Sequence, residues 1–294
     1  MAHAYHDVFE SFWATAGLIV TVLVYARGWL RIRRFEKSTV GAWHAVSFLL
    51  GLLLIWTAVG SPLAGFDHEL LTAHMVKHLL LMTLAPPLIF LGDPSTKLWH
   101  GLPQRIGRAL DYVFHSSSAQ QFARAMTHPA VCWLGAAGAL VVWHVPYVFM
   151  LGLQSGIWHG IEQASFLGTG FLFWWPVVDP ATITTKGSQW SILLYLFLAT
   201  LPCDILSGFL VFCDRLVYPV FLSSTHSFGF SPMEDQQCAG ALMWTCVTFV
   251  YLVPAAILTV RLLAPRSYRE DELMPSELPR IATRQSEPHS VEVV

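Results

Sequence analysis

The stretch Leu70–Leu91, LLTAHMVKHLLLMTLAPPLIFL, decides the fold class of this chain. It slightly exceeds the ~20 mainly apolar residues that carry an α-helix across a bilayer. It holds no acidic residue, and its strongly polar side chains, His74, Lys77 and His78, all lie in the first half. Four residues apart on a helix, His74 and His78 share one face about one turn apart. Met82 continues that ladder. Unpaired polar rings are costly in hydrocarbon, so the pair is a candidate functional site from the outset.

Similar stretches recur on both sides: Ser11–Trp29, Val40–Val59, Pro129–Leu151, Ile157–Val178, Ser188–Cys213 and Gln237–Leu263. Hydrophobic residues make up 54% of the chain and charged residues 12%. The charged share is about half the ~25% of a soluble domain. An open sheet cannot satisfy its backbone in lipid. The expected fold is therefore all-α, a polytopic bundle of seven transmembrane helices. The first stretch lacks a basic start, and Arg27, Arg31, Arg33 and Arg34 follow it as a stop-transfer flank, so it does not read as a signal peptide.

Basic residues orient the bundle. Arg27, Arg31, Arg33, Arg34 and Lys37 fall in or beside the first loop, and Lys97, Arg105, Arg108 and Arg124 in the third. Lys186 belongs to the fifth, and Arg261, Arg266, Arg269, Arg280 and Arg284 to the C-terminal flank and tail. With the N-terminus outside, 15 of the 17 basic residues lie on the cytoplasmic side. That asymmetry is the positive-inside pattern and gives an N-out, C-in topology. Residues 1–264 form one membrane domain, with an amphipathic helix expected over Gln104–Phe114 in the third loop. Residues 265–294 turn polar and rich in Pro, Ser and Glu, the composition of a disordered cytoplasmic tail. Cys132, Cys203, Cys213, Cys238 and Cys246 do not form a disulfide pattern.

This topology gives each polar residue a depth. His68, His74, His78, His144, His159, Glu162, Asp204 and Asp235 all fall toward the outer leaflet, from five helices or their loops. On the inner side, His44, His100, His115 and His128 lie mostly in or beside loops where water solvates them. Neutral imidazole is the commonest metal ligand. His74, His78, His144 and His159, together with the soft sulfurs of Met82 and Cys238, favour copper as Cu(I). His68, Glu162, Asp204, Asp235 and Gln236 are placed to orient those imidazoles rather than to bind a soft ion themselves. Two other readings stay open: a haem with axial histidines from facing helices, and a proton or ion path. Lone histidines in membranes are more often helix-bridging hydrogen-bond groups, and Met82 alone is ordinary core filler. Lys77 has three roles open to it: to snorkel outward, to pair with Asp204 or Glu162, or to repel a cation. No phosphate-binding glycine loop, zinc-protease helix, Cys-x-x-Cys pair or nucleophile elbow is present, and nothing suggests nucleic-acid binding.

Several blocks carry a family resemblance. They are Ala73–Met82 through Ala85-Pro86-Pro87 and Gly92-Asp93-Pro94; Trp143-His144-Val145-Pro146; Trp158–Gln163 through Phe173–Pro176; Asp214–Pro219; and Asp235–Trp244. In these the chain resembles the CtaG family of cytochrome c oxidase assembly factors, polytopic membrane proteins tied to haem–copper oxidase maturation. It does not resemble the single-span copper chaperone that shares the name. The resemblance implies an accessory protein rather than an enzyme, in the bacterial plasma (inner) membrane. Such a protein helps load copper into haem–copper oxidase subunits, with a periplasmic copper donor as a further partner. It also implies that His74, His78, His144 and His159 handle the metal, while Asp235 and Gln236 close the outer mouth.

Overall fold

The computed structural model describes residues 2–35, 41–178, 186–222, 229 and 231–263. The expected tail, 265–294, lies outside the described residues. Among the described residues the chain is helical, with no strand. Its hydroxyls fold back onto carbonyls four residues earlier, Thr57 onto Leu53 (2.9 Å) and Thr245 onto Ala241 (2.7 Å), so apolar helices expose few free donors.

Helices α1 (Ala2–Phe35) and α2 (Ala42–Val59) come first. A 3₁₀ turn, Pro62–His68, then leads into the histidine-bearing segment. That segment is not one regular helix. It runs as α3 (Leu71–Leu79), a π-helical turn (Leu80–Leu84) and α4 (Ala85–Leu91). Pro86 and Pro87 supply no N–H to the preceding carbonyls, and the Ala85 N–H reaches back five residues to Leu80 O. The π turn thus begins two residues after His78.

Three short helices follow, α5 (Pro94–Gly101), α6 (Gln104–Phe114) and α7 (Ser117–Met126). α6 has the bounds expected for the amphipathic helix, and none of its residues is buried. Then come α8 (Pro129–His144), α9 (Pro146–Gln154), α10 (Gly156–Val178), α11 (Lys186–Phe212) and α12 (Pro232–Leu263).

Among the described residues, five helical segments are long and apolar enough to cross a membrane: Ser11–Arg34, Ala42–Val59, Leu71–Leu91, Gln189–Phe212 and Pro232–Leu263. α7 and α8, bent by 62° at their junction, make a sixth if taken together. The expected seven differ in the fourth and fifth stretches. Pro146 forces Val145 into an extended conformation (φ −65°, ψ 123°), which ends α8 at His144 and splits the expected Pro129–Leu151 span. α10 has 23 residues but is diluted by His159, Glu162, Gln163, Ser165 and Thr169.

Two buried clusters meet on the third segment. Leu71, Met75 and Leu79 join Phe149, Phe173, Leu196, Leu210, Met243 and Tyr251 in one. Leu81, Ala85 and Ile89 join Tyr25, Phe48, Leu52, Ile55 and Phe166 in the other. The segment is 61% buried, against 11% for the first apolar stretch, so it forms the axis of the bundle. α10 approaches it closely at Gly170, where a Cβ would stand 2.7 Å from Met82 O.

Candidate metal centre

The start of α3 is fixed by the last helix. Leu70, at its N-cap, offers no capping side chain. The Asp235 carboxylate does that work from α12, accepting from Leu71 N–H (2.7 Å) and Thr72 N–H (3.1 Å), while the Thr72 hydroxyl donates to Asp235 O (3.1 Å). Neighbouring Gln236 accepts from Val217 N–H (2.8 Å) and donates to Leu210 O and Arg215 O (3.3 and 3.1 Å). Both residues therefore hold backbone in place and touch neither group of histidines described below.

From this fixed start, α3 presents His74 and His78 to Glu162 of α10. Nε2 of each ring lies 3.3 Å from the same oxygen, Glu162 Oε1. The two rings meet edge-on with centroids 4.4 Å apart. Phe149 tilts against His74 (4.8 Å), and Phe166 stacks on His78 (4.0 Å). All three residues are buried, and their ligand atoms lie within 4.8 Å of one another. The contacts are close but misaligned for hydrogen bonding. Neither nitrogen of His74 or His78, and neither oxygen of Glu162, has a hydrogen-bond partner. Buried polar atoms are almost always bonded, so six such atoms in one place call for an explanation.

A second group lies toward the Pro62–His68 turn, the rim of the site. Asp67, His68 and His159 also bring one ligand atom each within 4.8 Å of the others. His159 Nε2 is 3.2 Å from Asp67 Oδ2, and His68 Nε2 is 3.7 Å from Asp67 Oδ1. Lys77 enters between them, bonding Asp67 Oδ2 and, at 2.9 Å, His159 Nε2. An ammonium only donates, so this arrangement makes Nε2 an acceptor and places the neutral ring's proton on Nδ1. Nδ1 in turn faces Glu162 Oε2 at 3.5 Å. His159 thereby links the rim to the inner group.

The partner of Lys77 corrects the sequence expectation, which offered Asp204 or Glu162. Asp67 lies ten residues earlier and is brought back by the 3₁₀ turn. The remaining expected residues divide. His144 borders the inner group, its ring 6.0 Å from that of His78. Its Nε2 is 3.2 Å from the sulfur of Met75, a residue the sequence reading placed only beside the ladder. Met82 is one turn further along and lines, with Met75, His78, His144, Cys203 and Met243, a cavity of about 40 Å³. Asp204 is half-buried on α11, and Cys238 is exposed on α12; both stand outside the two groups.

Gly152 escaped the sequence reading altogether. It is buried on α9, and a Cβ there would lie 2.9 Å from Glu162 Oε2, so its bare backbone makes room for the carboxylate. The turn at Pro146, which brings α9 back toward α10, was its one available signal.

A family model described as cytochrome c oxidase caa3 assembly factor (Caa3_CtaG) matches residues 23–264. The chain belongs to that family. The matched range contains both groups, Gly152 and the Asp235 cap. Comparison with curated proteins and with solved structures gave no match. A Caa3_CtaG protein is by that description an assembly factor, a role that implies association with a cytochrome c oxidase.

Proposed function

We propose that this Caa3_CtaG protein carries copper, as Cu(I), on His74, His78 and Glu162, the carboxylate serving as a ligand where the sequence made it only an orienting group, and passes it to a haem–copper oxidase subunit docked beside it in the membrane. The observation that carries this reading is the set of six buried nitrogen and oxygen atoms of those three residues without a hydrogen-bond partner. A bound cation would satisfy several of them at once. Charge balance points the same way. With neutral imidazoles, Asp67 and Glu162 contribute two negative charges and Lys77 one positive, so a monovalent ion brings the buried groups to neutrality.

His144 and the Met75 sulfur beside it are the next ligands inward, followed by the cavity lined by Met82, Cys203 and Met243. A chain of imidazole, thioether and thiol groups suits stepwise exchange of a soft ion, whereas a closed four-ligand site would retain it. His159 serves this site only through Nδ1, and exposed Cys238 has no part in it. The seven-span, N-out arrangement in a bacterial inner membrane belongs to the same proposal. It puts both groups on the extracytoplasmic side, where a periplasmic donor delivers copper.

The haem alternative fits poorly. The cavity beside His78 and His144, about 40 Å³, falls far short of the several hundred Å³ that a ligand of that size occupies. A proton path has better support in the linked contacts from Asp67 to His78, but the cavity they reach is lined mainly by apolar side chains, Leu79, Ala136, Leu140 and Val247 among them. Metal analysis and an optical spectrum of the purified protein test the proposal. Copper should be stoichiometric, and His78→Ala should lose it together with oxidase activity in the cell. A strong Soret band, or a His78→Ala protein that keeps its copper, overturns it.

A further inference from the structure

Lys77 enters the copper reading only as a charge, yet it is 5% exposed and sits at the centre of the rim. A buried ammonium is expensive, and it is held here by Asp67 Oδ2 and His159 Nε2 together. Those two atoms belong to residues of the second group, which with His68 each offer one ligand atom within 4.8 Å of the others. The lysine therefore stands where a cation bound by that group would stand.

The same carboxylate is only half engaged. Oδ2 takes Lys77 and His159, while Oδ1 is buried without a hydrogen-bond partner and faces His68 Nε2 at 3.7 Å. Asp67 itself is 2% exposed, whereas the His68 side chain is 42% exposed and reaches the surface. A carboxylate oxygen, two imidazoles and an open side toward solvent form a three-ligand set of borderline hardness. Such a set suits a first-row divalent ion and leaves a coordination position free for exchange. The inner group joins a carboxylate to imidazoles in the same way, and it differs in the His144 ring and the Met75 thioether that lie beside it.

We propose that Asp67, His68 and His159 form a second metal site, for a first-row transition-metal dication, and that Lys77 keeps it closed by acting as its resident cation. A metal ion binds there only as Lys77 swings away from Asp67 and His159. The ion and the ammonium compete for one carboxylate oxygen and one imidazole nitrogen, and both cannot be held at once. Lys77 thus filters arrivals by charge and ligand preference. Monovalent ions and weakly bound divalent ones, Mg²⁺ and Ca²⁺ among them, do not displace an ammonium from a nitrogen-containing site, whereas ions that favour imidazole do. The site stands independently of the copper reading, since none of its three ligands belongs to the His74–His78–Glu162 group.

Cobalt(II), added alone to the purified full-length protein, reports the site through its visible absorption bands. Lys77→Met should tighten cobalt binding roughly tenfold or more, because the closed state no longer competes. Lys77→Arg should leave binding as weak as in the wild type. His68→Ala should remove this cobalt equivalent in both the native and the Lys77→Met background, whereas His78→Ala should leave it in place. The proposal fails if Lys77→Met, folded as judged by circular dichroism, binds cobalt no more tightly than the wild type. It also fails if His68→Ala in the native background leaves the bands unchanged, a comparison that stands even if Lys77→Met does not fold. Loss of copper in His78→Ala with these cobalt results unchanged upholds both sites, while intact cobalt behaviour without any copper overturns only the inner one.

Discussion

The rim and the inner group contain the same chemistry in opposite states of completion. Each joins one buried carboxylate to imidazoles within 4.8 Å. At the rim, Asp67 has an ammonium against it, and His159 accepts from the same ammonium. Less than one helical turn away, Glu162 has three imidazoles around it and no hydrogen bond to any of them. The difference comes from one residue of α3. Lys77 precedes His78 and points to the other carboxylate, so the rim carries its own cation and the inner group lacks one. A folded chain can thus hold two metal-like sites side by side and leave only one of them open.

The comparison breaks most sharply at Asp67. Asp67→Ala leaves a buried ammonium without its counter-charge, which should cost about 3–5 kcal/mol of stability. Unfolding of the detergent-solubilised protein measures it. Adding Lys77→Met should recover part of the loss, with a coupling of about 0.5–3 kcal/mol in the double-mutant cycle. Strict additivity would mean that the pair contributes nothing to the fold.

The inner group should respond differently. His74→Leu removes a buried ring that makes no hydrogen bond, so its stability should stay within about 1 kcal/mol of the wild type. Copper binding should nevertheless fall. A destabilisation as large as that of Asp67→Ala would mean that His74 is held by polar contacts after all, and the contrast between the two groups would vanish.

Much of this was legible in the sequence, and the omissions have physical causes. The four-residue spacing of His74 and His78 survives directly because helix periodicity is local, and Trp158-His159 with Glu162 reads as one helix face for the same reason. The break at Val145 was also readable, since Pro146 is a strong local signal, yet the apolar run through it favoured a single span. What could not be read was contact between elements. Nothing local pairs Lys77 with Asp67 across a 3₁₀ turn, places Met75 rather than Met82 against His144, or turns Asp235 into the cap of a helix 164 positions away. Each depends on how segments meet. Cys238 likewise stands exposed on α12, apart from both groups, because Asp235, Gln236 and Ala239 turn the buried face of that helix another way.

Gly152 allows the smallest test, and it separates the two groups most cleanly. An added methyl at this position meets Glu162 Oε2 at 2.9 Å, on the side where His159 Nδ1 faces the same oxygen at 3.5 Å. The carboxylate is the end of a flexible side chain, so it gives way by a few tenths of an ångström rather than forcing α9 off α10. Gly152→Ala should therefore cost at most about 1 kcal/mol, the low end for overpacking a core. The displaced carboxylate no longer sits evenly between His74 and His78, and copper affinity should drop. Lys77 and Asp67 are untouched, so cobalt binding at the rim should match the wild type. If copper affinity is unchanged in a protein of native stability, Glu162 is not a ligand, and the inner site reduces to the two imidazoles of α3 with His144 behind them.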